Sequence, residues 1–80
     1  MRAYHIIEQT TDQQTMEIWA ESMVQAIEVY ANRALVGEAH TTKQINGNTW
    51  RIGADGEYCT ITAHNERIAF AKWTHDKGLY

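Results

Sequence analysis

The sequence contains no proline and a single cysteine, Cys59. One cysteine excludes a disulfide within the chain and is typical of a reducing compartment. The apolar runs are too short to cross a bilayer, and the residues after Met1 lack the apolar core of a secretory signal. We therefore expect a protein of the cytoplasm.

Motifs for catalysis and metal binding are missing as well. Each glycine stands alone, so there is no glycine-rich phosphate loop, and the histidines at positions 5, 40, 64 and 75 lack the spacing of a zinc site. Asp55 and Glu57 flank the glycine of a predicted hairpin, where turn chemistry alone explains them. His64 and Cys59 lie at an odd offset on one predicted strand and point to opposite faces, so we expect Cys59 to be a buried, inert thiol. The sequence predicts no enzyme, no metal and no cofactor.

Length and charge bound the remaining possibilities. Eighty residues, 44% of them apolar, suffice for a single small domain, residues 1–80. The net charge of −3 is uneven, because the first 40 residues carry two basic against six acidic residues and the last 40 carry five against four. The overall sign argues against general nucleic-acid binding. The acidic half predicts either a solvated helix face or a surface for a basic partner. Its main members are Glu17, Glu21, Glu28 and Glu38.

Alternation of apolar and polar residues predicts two strands in the first 20 residues. Residues 3–9 form the first strand, in which either Tyr4 and Ile6 or the residues that follow each of them face inwards. A polar turn at 10–15 separates it from the second strand. There Trp19 alternates with the apolar residues on either side of it and is expected to face outwards.

A helix is predicted for residues 22–36. Ser22 and Gln25 fit a capping box, in which the serine oxygen accepts from the Gln25 backbone and the glutamine side chain reaches back. Gly37 is a plausible stop, because glycine adopts the left-handed conformation easily. The apolar stripe is predicted from helical spacing. It comprises Val24, Ile27, Ala31, Ala34 and Leu35, with Met23 and Tyr30 at its edges.

The rest of the chain is predicted to form antiparallel strands. Asn46-Gly47 and Asp55-Gly56 are typical of type I′ hairpin turns, in which both central residues need a positive φ. Asn65-Glu66 is a third, weaker turn. The order is β-β-α-β-β-β, with room for one more strand and a loose tail after residue 73. This is an α+β domain, an antiparallel sheet of four to six strands with one amphipathic helix packed on one face. The strands after the helix are placed at 41–45, 48–53, 57–63 and 67–73.

The uncovered face of this sheet is predicted to carry aromatic and arginine side chains. In the last strand, Ile68 and Phe70 are assigned to the helix side, which directs Arg67 and Trp73 outwards. Such residue types are enriched at protein-interface hot spots and also stack single-stranded bases. Ordinary cross-strand packing or a homodimer is the alternative interpretation. The predicted outward set is Trp19, Arg51, Tyr58, Arg67 and Trp73.

Three segments carry a resemblance to a known group of proteins. They are the opening MRAYHIIEQ with its strand from Tyr4 to Ile7, AESMVQAIEVYANRA at 20–34, and RIAFAKW at 67–73. Together they resemble small proteins of phages and mobile elements, and in particular small anti-CRISPR proteins. Members of that group are compact single domains, often one helix on an antiparallel sheet, that bind subunits of a CRISPR–Cas surveillance complex.

The resemblance implies a non-enzymatic inhibitor that acts as a monomer or homodimer on a CRISPR–Cas protein subunit, without direct contact to nucleic acid or membrane. It would occupy a surface needed for target DNA binding or nuclease recruitment. Either the acidic helix face meets basic residues of the subunit, or the aromatic and arginine face docks on it. A nucleic-acid-binding regulator and a self-associating phage accessory protein are the alternatives. The candidate partner-binding residues are Trp19, Arg51, Tyr58, Arg67, Trp73, Glu17, Glu21 and Glu28.

Overall fold

Six strands and one helix follow each other in the order β-β-α-β-β-β-β. The structure, a computed structural model, describes residues 1–9 and 13–74. The α+β class and the single helix on one sheet face are confirmed, and the sheet has the six strands that were the upper bound of the prediction. The elements are β1 Arg2–Glu8, β2 Thr15–Ala20, α1 Met23–Ala34, β3 His40–Asn46, β4 Thr49–Ala54, β5 Glu57–Ala63 and β6 Ile68–Thr74.

The strands form one sheet in the order β2-β1-β6-β5-β4-β3. Neighbouring strands are antiparallel except β1 and β6, which are parallel, with Ile6 opposite Ala69. The prediction of a wholly antiparallel sheet is therefore wrong at this pair. Helix α1 connects β2 to β3, the two edge strands, and crosses one face of the sheet to do so. We call this face the helix side.

The start and end of the helix follow local sequence signals. Ser22 has an extended backbone, and its Oγ accepts a 3.2 Å hydrogen bond from the Gln25 N–H. The Gln25 Oε1 accepts in turn from the Glu21 N–H at 2.6 Å, one residue before the serine. Regular helix ends at Ala34, and Gly37 follows with φ +78°, a conformation that glycine adopts without the Cβ penalty.

The buried stripe of α1 is rotated from the predicted one. Tyr30 is fully buried at its centre, whereas Val24 is 48% exposed and Ala34 is exposed. Tyr30 can lie inside because its hydroxyl has two hydrogen-bond partners there. The buried residues of the helix are Ala26, Ile27, Tyr30 and Ala31.

The assignment of faces in β6 is the opposite of the predicted one. Ala69 and Ala71 are fully buried on the helix side, and Ile68 and Phe70 lie on the other face, half-buried. Register explains this, because Ala71 pairs with the buried Ile61 of β5. A central strand is apolar on both faces, so alternating large and small apolar residues do not reveal which face holds the core. In β1, the Tyr4 and Ile6 alternative is confirmed.

The hairpin turns are present, but type I′ geometry is not. Gly56 has φ +82°, whereas Asp55 and Gly47 lack a positive φ. The other hairpin turns one residue later than predicted, where the Asn46 side chain accepts from the Asn48 N–H at 3.0 Å. Part of the predicted turn at 10–15 and residues 75–80 of the predicted tail, with His75, lie outside the described residues. Thr74, the first residue of the predicted tail, belongs to β6. Within the described ranges, no helix is long and apolar enough to cross a membrane.

Candidate functional site

The face of the sheet opposite the helix is uncovered along the part of the chain that the structure describes. Cross-strand partners share a face, and the observed register groups the outward side chains from edge to edge. We call this surface the open face. One residue of it from each strand, in sheet order, is Trp19, His5, Phe70, Thr60, Arg51 and Lys43.

Trp19 stands on the open face near the β2 edge, as predicted, and is 58% exposed. Its Nε1–H donates a 3.1 Å hydrogen bond to Glu17 Oε1, and the other oxygen of Glu17 lies 3.3 Å from His5 Nε2. Its neighbour across the strand pair is Ala3, which is too small to cover the indole ring. We call Trp19, Glu17 and His5 the Trp19 cluster. Glu17 therefore belongs to the open face, as the alternation in β2 predicts, and it is not part of the acidic helix face.

Arg51 and Tyr58 form a second contact on the open face. The Arg51 guanidinium carbon lies 4.9 Å from the centroid of the Tyr58 ring. The two residues are diagonal neighbours on β4 and β5, because Arg51 pairs with Thr60 and Gly53 pairs with Tyr58. Cation–π attraction holds the guanidinium in place over the ring. The predicted outward orientation of both residues is confirmed.

Arg67 and Trp73 lie on the helix side, so their predicted outward orientation is wrong. Each is an even number of residues from the buried Ala69, and such positions on a strand point to the same face. Arg67 reaches over the ring of buried Tyr4, at 5.8 Å from its centroid. The Trp73 Nε1–H donates to the Tyr30 hydroxyl at 2.7 Å, and the two rings meet at a centroid distance of 6.4 Å. Both side chains therefore support the fold.

Glu21 and Glu28 are both exposed, Glu28 on α1 and Glu21 in the connection between β2 and α1. Glu21 has an oxygen 3.8 Å from the Met1 amino nitrogen. The candidate residues thus lie on both faces of the sheet, and no single flat partner surface contacts all of them. The open face holds Trp19, Glu17, Arg51 and Tyr58, the helix side holds Arg67, Trp73 and Glu28, and Glu21 lies in the connection between β2 and α1.

Two lysines on the open face were missed by the sequence reasoning. Lys43 pairs directly with Arg51, and Lys72 pairs with Thr60, which pairs with Arg51 from the other side. We call Lys43, Arg51 and Lys72 the cationic row. All three are exposed, and within the described ranges none of them is ion-paired with a carboxylate. Only the register brings positions this far apart in the sequence together, so no local pattern indicates the row.

A recess of about 470 Å³ opens beside the cationic row near the β3 edge. Lys43 and Arg51 line it together with Thr41 and Asp55. It exists in part because Gly53 has no side chain between Thr41 and Tyr58, its neighbours on either strand. The recess is therefore open, mainly apolar in its walls and bordered by two cations and one carboxylate.

Burial and side-chain placement also limit the chemistry that the described thiol, phenol and carboxylate groups can perform. Burial raises the pKa of the Cys59 thiol to about 12, so the thiol stays protonated at neutral pH and is a poor nucleophile. Burial, and then the hydrogen bond to Glu8, raise the pKa of Tyr30 above its usual range. Within residues 1–9 and 13–74, no group of three or more His, Cys, Asp or Glu side chains is placed to hold a metal ion.

Comparisons with protein-family models, with curated proteins and with solved structures found no match for this chain.

Proposed function

We propose that this protein is a non-enzymatic binding protein that docks a partner protein on the Trp19 cluster. The exposure of Trp19 is the observation that supports this proposal, since a tryptophan that is 58% exposed on the open face contributes little to the core. Exposed tryptophan is among the residues most enriched at binding hot spots. The hydrogen bond to Glu17 orients the indole ring before any partner arrives, which lowers the entropy cost of binding.

The narrower proposal is that the partner is a protein subunit of a CRISPR–Cas complex in the host cytoplasm. The support for it is the resemblance of the N-terminal strand, the helix segment and the 67–73 segment to small anti-CRISPR proteins. An inhibitor of this size acts by covering a surface. It would prevent target DNA binding or nuclease recruitment, and it would need no reaction of its own.

The test is a binding and inhibition experiment with purified CRISPR–Cas complexes of several types. We expect the wild-type protein to co-migrate with one of them in gel filtration and to suppress cleavage of target DNA. Trp19→Ala should weaken binding about 30-fold or more, the loss typical of a hot-spot residue. Val24→Ala, which shortens an exposed apolar side chain on the helix, is the matched control and should bind like wild type.

Two results would contradict the proposal at different levels. If no complex binds and phage plating on CRISPR-bearing hosts is unchanged, the CRISPR–Cas partner is wrong. If a partner binds but Trp19→Ala binds as tightly as wild type, the assignment of the surface is wrong. Circular dichroism of each variant establishes that a loss of binding is not a loss of fold.

A further inference from the structure

The cationic row has a feature that a solvated sheet face does not explain. Lys43 and Arg51 are directly opposite each other on neighbouring strands, an arrangement in which like charges destabilise the pairing. Lys72 extends the row across Thr60 to the central strand β6. Across three strand spacings the row is about 14 Å long. An anion lying along the row would remove the repulsion between the two opposed cations.

The surroundings of the row favour an anionic partner. The described open-face residues within β3 to β6 include no Asp or Glu, and hydroxyl groups border the cations. The carboxylate next to the row is that of Asp55, in the turn after β4, and two cations of the row line the recess with it. Glu28, on α1, lies on the other side of the sheet. The net charge of −3 therefore conceals a local excess of positive charge on the open face of β3 to β6. The bordering hydroxyls belong to Thr41, Thr49, Thr60, Thr62 and Thr74.

Aromatic rings beside the row narrow the class of anion. The Tyr58 ring lies against Arg51, and the residue directly opposite Tyr58 is Gly53, which leaves the recess of about 470 Å³ next to the row. That volume is within the range of pockets that hold small ligands, and hence a nucleotide base. Phe70 adds a half-buried ring on the neighbouring strand. A flat sheet with aromatic rings and a line of cations is the arrangement that binds unpaired bases and their phosphates.

We propose that the cationic row, together with Tyr58 and the recess beside Gly53, binds single-stranded nucleic acid. Lys43, Arg51 and Lys72 contact successive phosphates, one base stacks against Tyr58, and a neighbouring base enters the recess, whose walls include Lys43 and Arg51. Aromatic rings stack on the bases of nucleic acid, whereas an acidic protein surface would contact the cations alone. The recess lies at the β3 edge of the sheet and Trp19 lies at the opposite edge, on β2, so this site does not depend on the proposed function.

Fluorescence anisotropy tests the proposal, with a fluorescein-labelled oligothymidylate or oligouridylate of about 15 nucleotides. Lys43→Gln combined with Lys72→Gln should weaken binding at least tenfold. The matched control is Arg2→Gln combined with Arg33→Gln, which removes the same charge away from the open face and should change the affinity less than twofold. With three phosphate contacts, raising the salt from 50 to 200 mM should weaken wild-type binding about 15- to 20-fold. Tyr58→Leu should weaken it about tenfold through lost stacking.

Three outcomes would overturn the proposal. They are the absence of binding at 50 mM salt, equal losses in the two double variants, and displacement of the oligonucleotide by polyglutamate at equal charge concentration. The last result would indicate an acidic protein partner instead. Trp19→Ala is expected to bind the oligonucleotide within twofold of wild type. The failure of this proposal is thus distinguishable from the failure of protein binding at the Trp19 cluster.

Discussion

The indole N–H of Trp73 donates a 2.7 Å hydrogen bond to the hydroxyl of Tyr30. That hydroxyl donates at 2.6 Å to Glu8, so one oxygen connects β6, α1 and β1. The three groups are part-buried, where a hydrogen bond is stronger than in water and an unpaired group is costly. The contact anchors the helix to the two central strands that pair in parallel.

Removal of this hydroxyl tests its contribution to stability. Tyr30→Phe should lower the free energy of unfolding by about 1–3 kcal/mol, because the Glu8 carboxylate and the Trp73 N–H both lose a partner. Urea unfolding measures the loss. Trp73→Phe and the double variant complete a double-mutant cycle. Additive effects in the cycle would show that the two side chains do not support each other.

Stability should fall at alkaline pH. Burial raises the pKa of Cys59 from 9.0 to about 12, and burial with the Glu8 hydrogen bond raises the pKa of Tyr30 above its ordinary 10.0. Both groups stay protonated in the folded state while the unfolded chain loses those protons, so their contribution is complete below about pH 9 and decreases above it. Each group contributes a slope of at most about 1.4 kcal/mol per pH unit.

Urea unfolding between about pH 7 and pH 11 measures this dependence. Cys59→Ala should flatten the slope that begins near pH 9, and Tyr30→Phe should flatten the part that begins near pH 10. A wild-type stability that stays constant over this range would contradict the burial of both groups.

The tryptophans of β2 and β4 should respond differently to truncation. Trp50 is 6% exposed on the helix side, and Trp50→Ala should lower the free energy of unfolding by about 3–5 kcal/mol. Trp19→Ala should change it by less than about 1 kcal/mol, because the Trp19 ring is 58% exposed. Thermal or urea unfolding of the pair is the measurement. An equally large loss at Trp19 would mean that its ring supports the sheet and is not held ready for a partner.

Two hairpin glycines form another matched pair. A Cβ added at Gly56 or at Gly47 meets no atom within 4 Å, so only the backbone conformation distinguishes them. Gly56→Ala should destabilise by about 1–2 kcal/mol, because φ +82° is strained for alanine. Gly47→Ala should be neutral or stabilise by about 0.4–1 kcal/mol through the unfolded state. If Gly47→Ala destabilised the protein more than Gly56→Ala in chemical unfolding, the positive φ would lie at Gly47 and not at Gly56.

Features of the fold that depend on a few adjacent residues could be predicted from the sequence. Ser22 and Gln25 mark the helix start because both partners of the cap lie within one turn of chain. Gly37 marks its end for the same reason. The outward position of Trp19 followed from simple alternation, since β2 is an edge strand with clearly apolar neighbours on its inner face.

Features that depend on register could not be predicted in this way. In β6 both Ile68 with Phe70 and Ala69 with Ala71 are plausible inner pairs, and only the pairing with β5 decides between them. Trp73 was assigned to the wrong face of the sheet for the same reason. The cationic row could not be predicted for a related reason, because its members come from three strands and the pairing of Lys43 with Arg51 depends on a register shift in the β3–β4 hairpin.

The parallel pairing of β1 with β6 has a consequence for how the protein acquires its shape during synthesis. When β1 leaves the ribosome its only available neighbour is β2, and an isolated hairpin is marginally stable in water. Its second neighbour in the sheet is β6, which follows four other strands and the helix in the sequence. The sheet is therefore completed only after β6 has been released, and this long-range pairing makes folding slower than that of a helical protein of the same length. Until then β1 has one unpaired edge, the one that β6 later occupies, and an unpaired strand edge can pair with another chain.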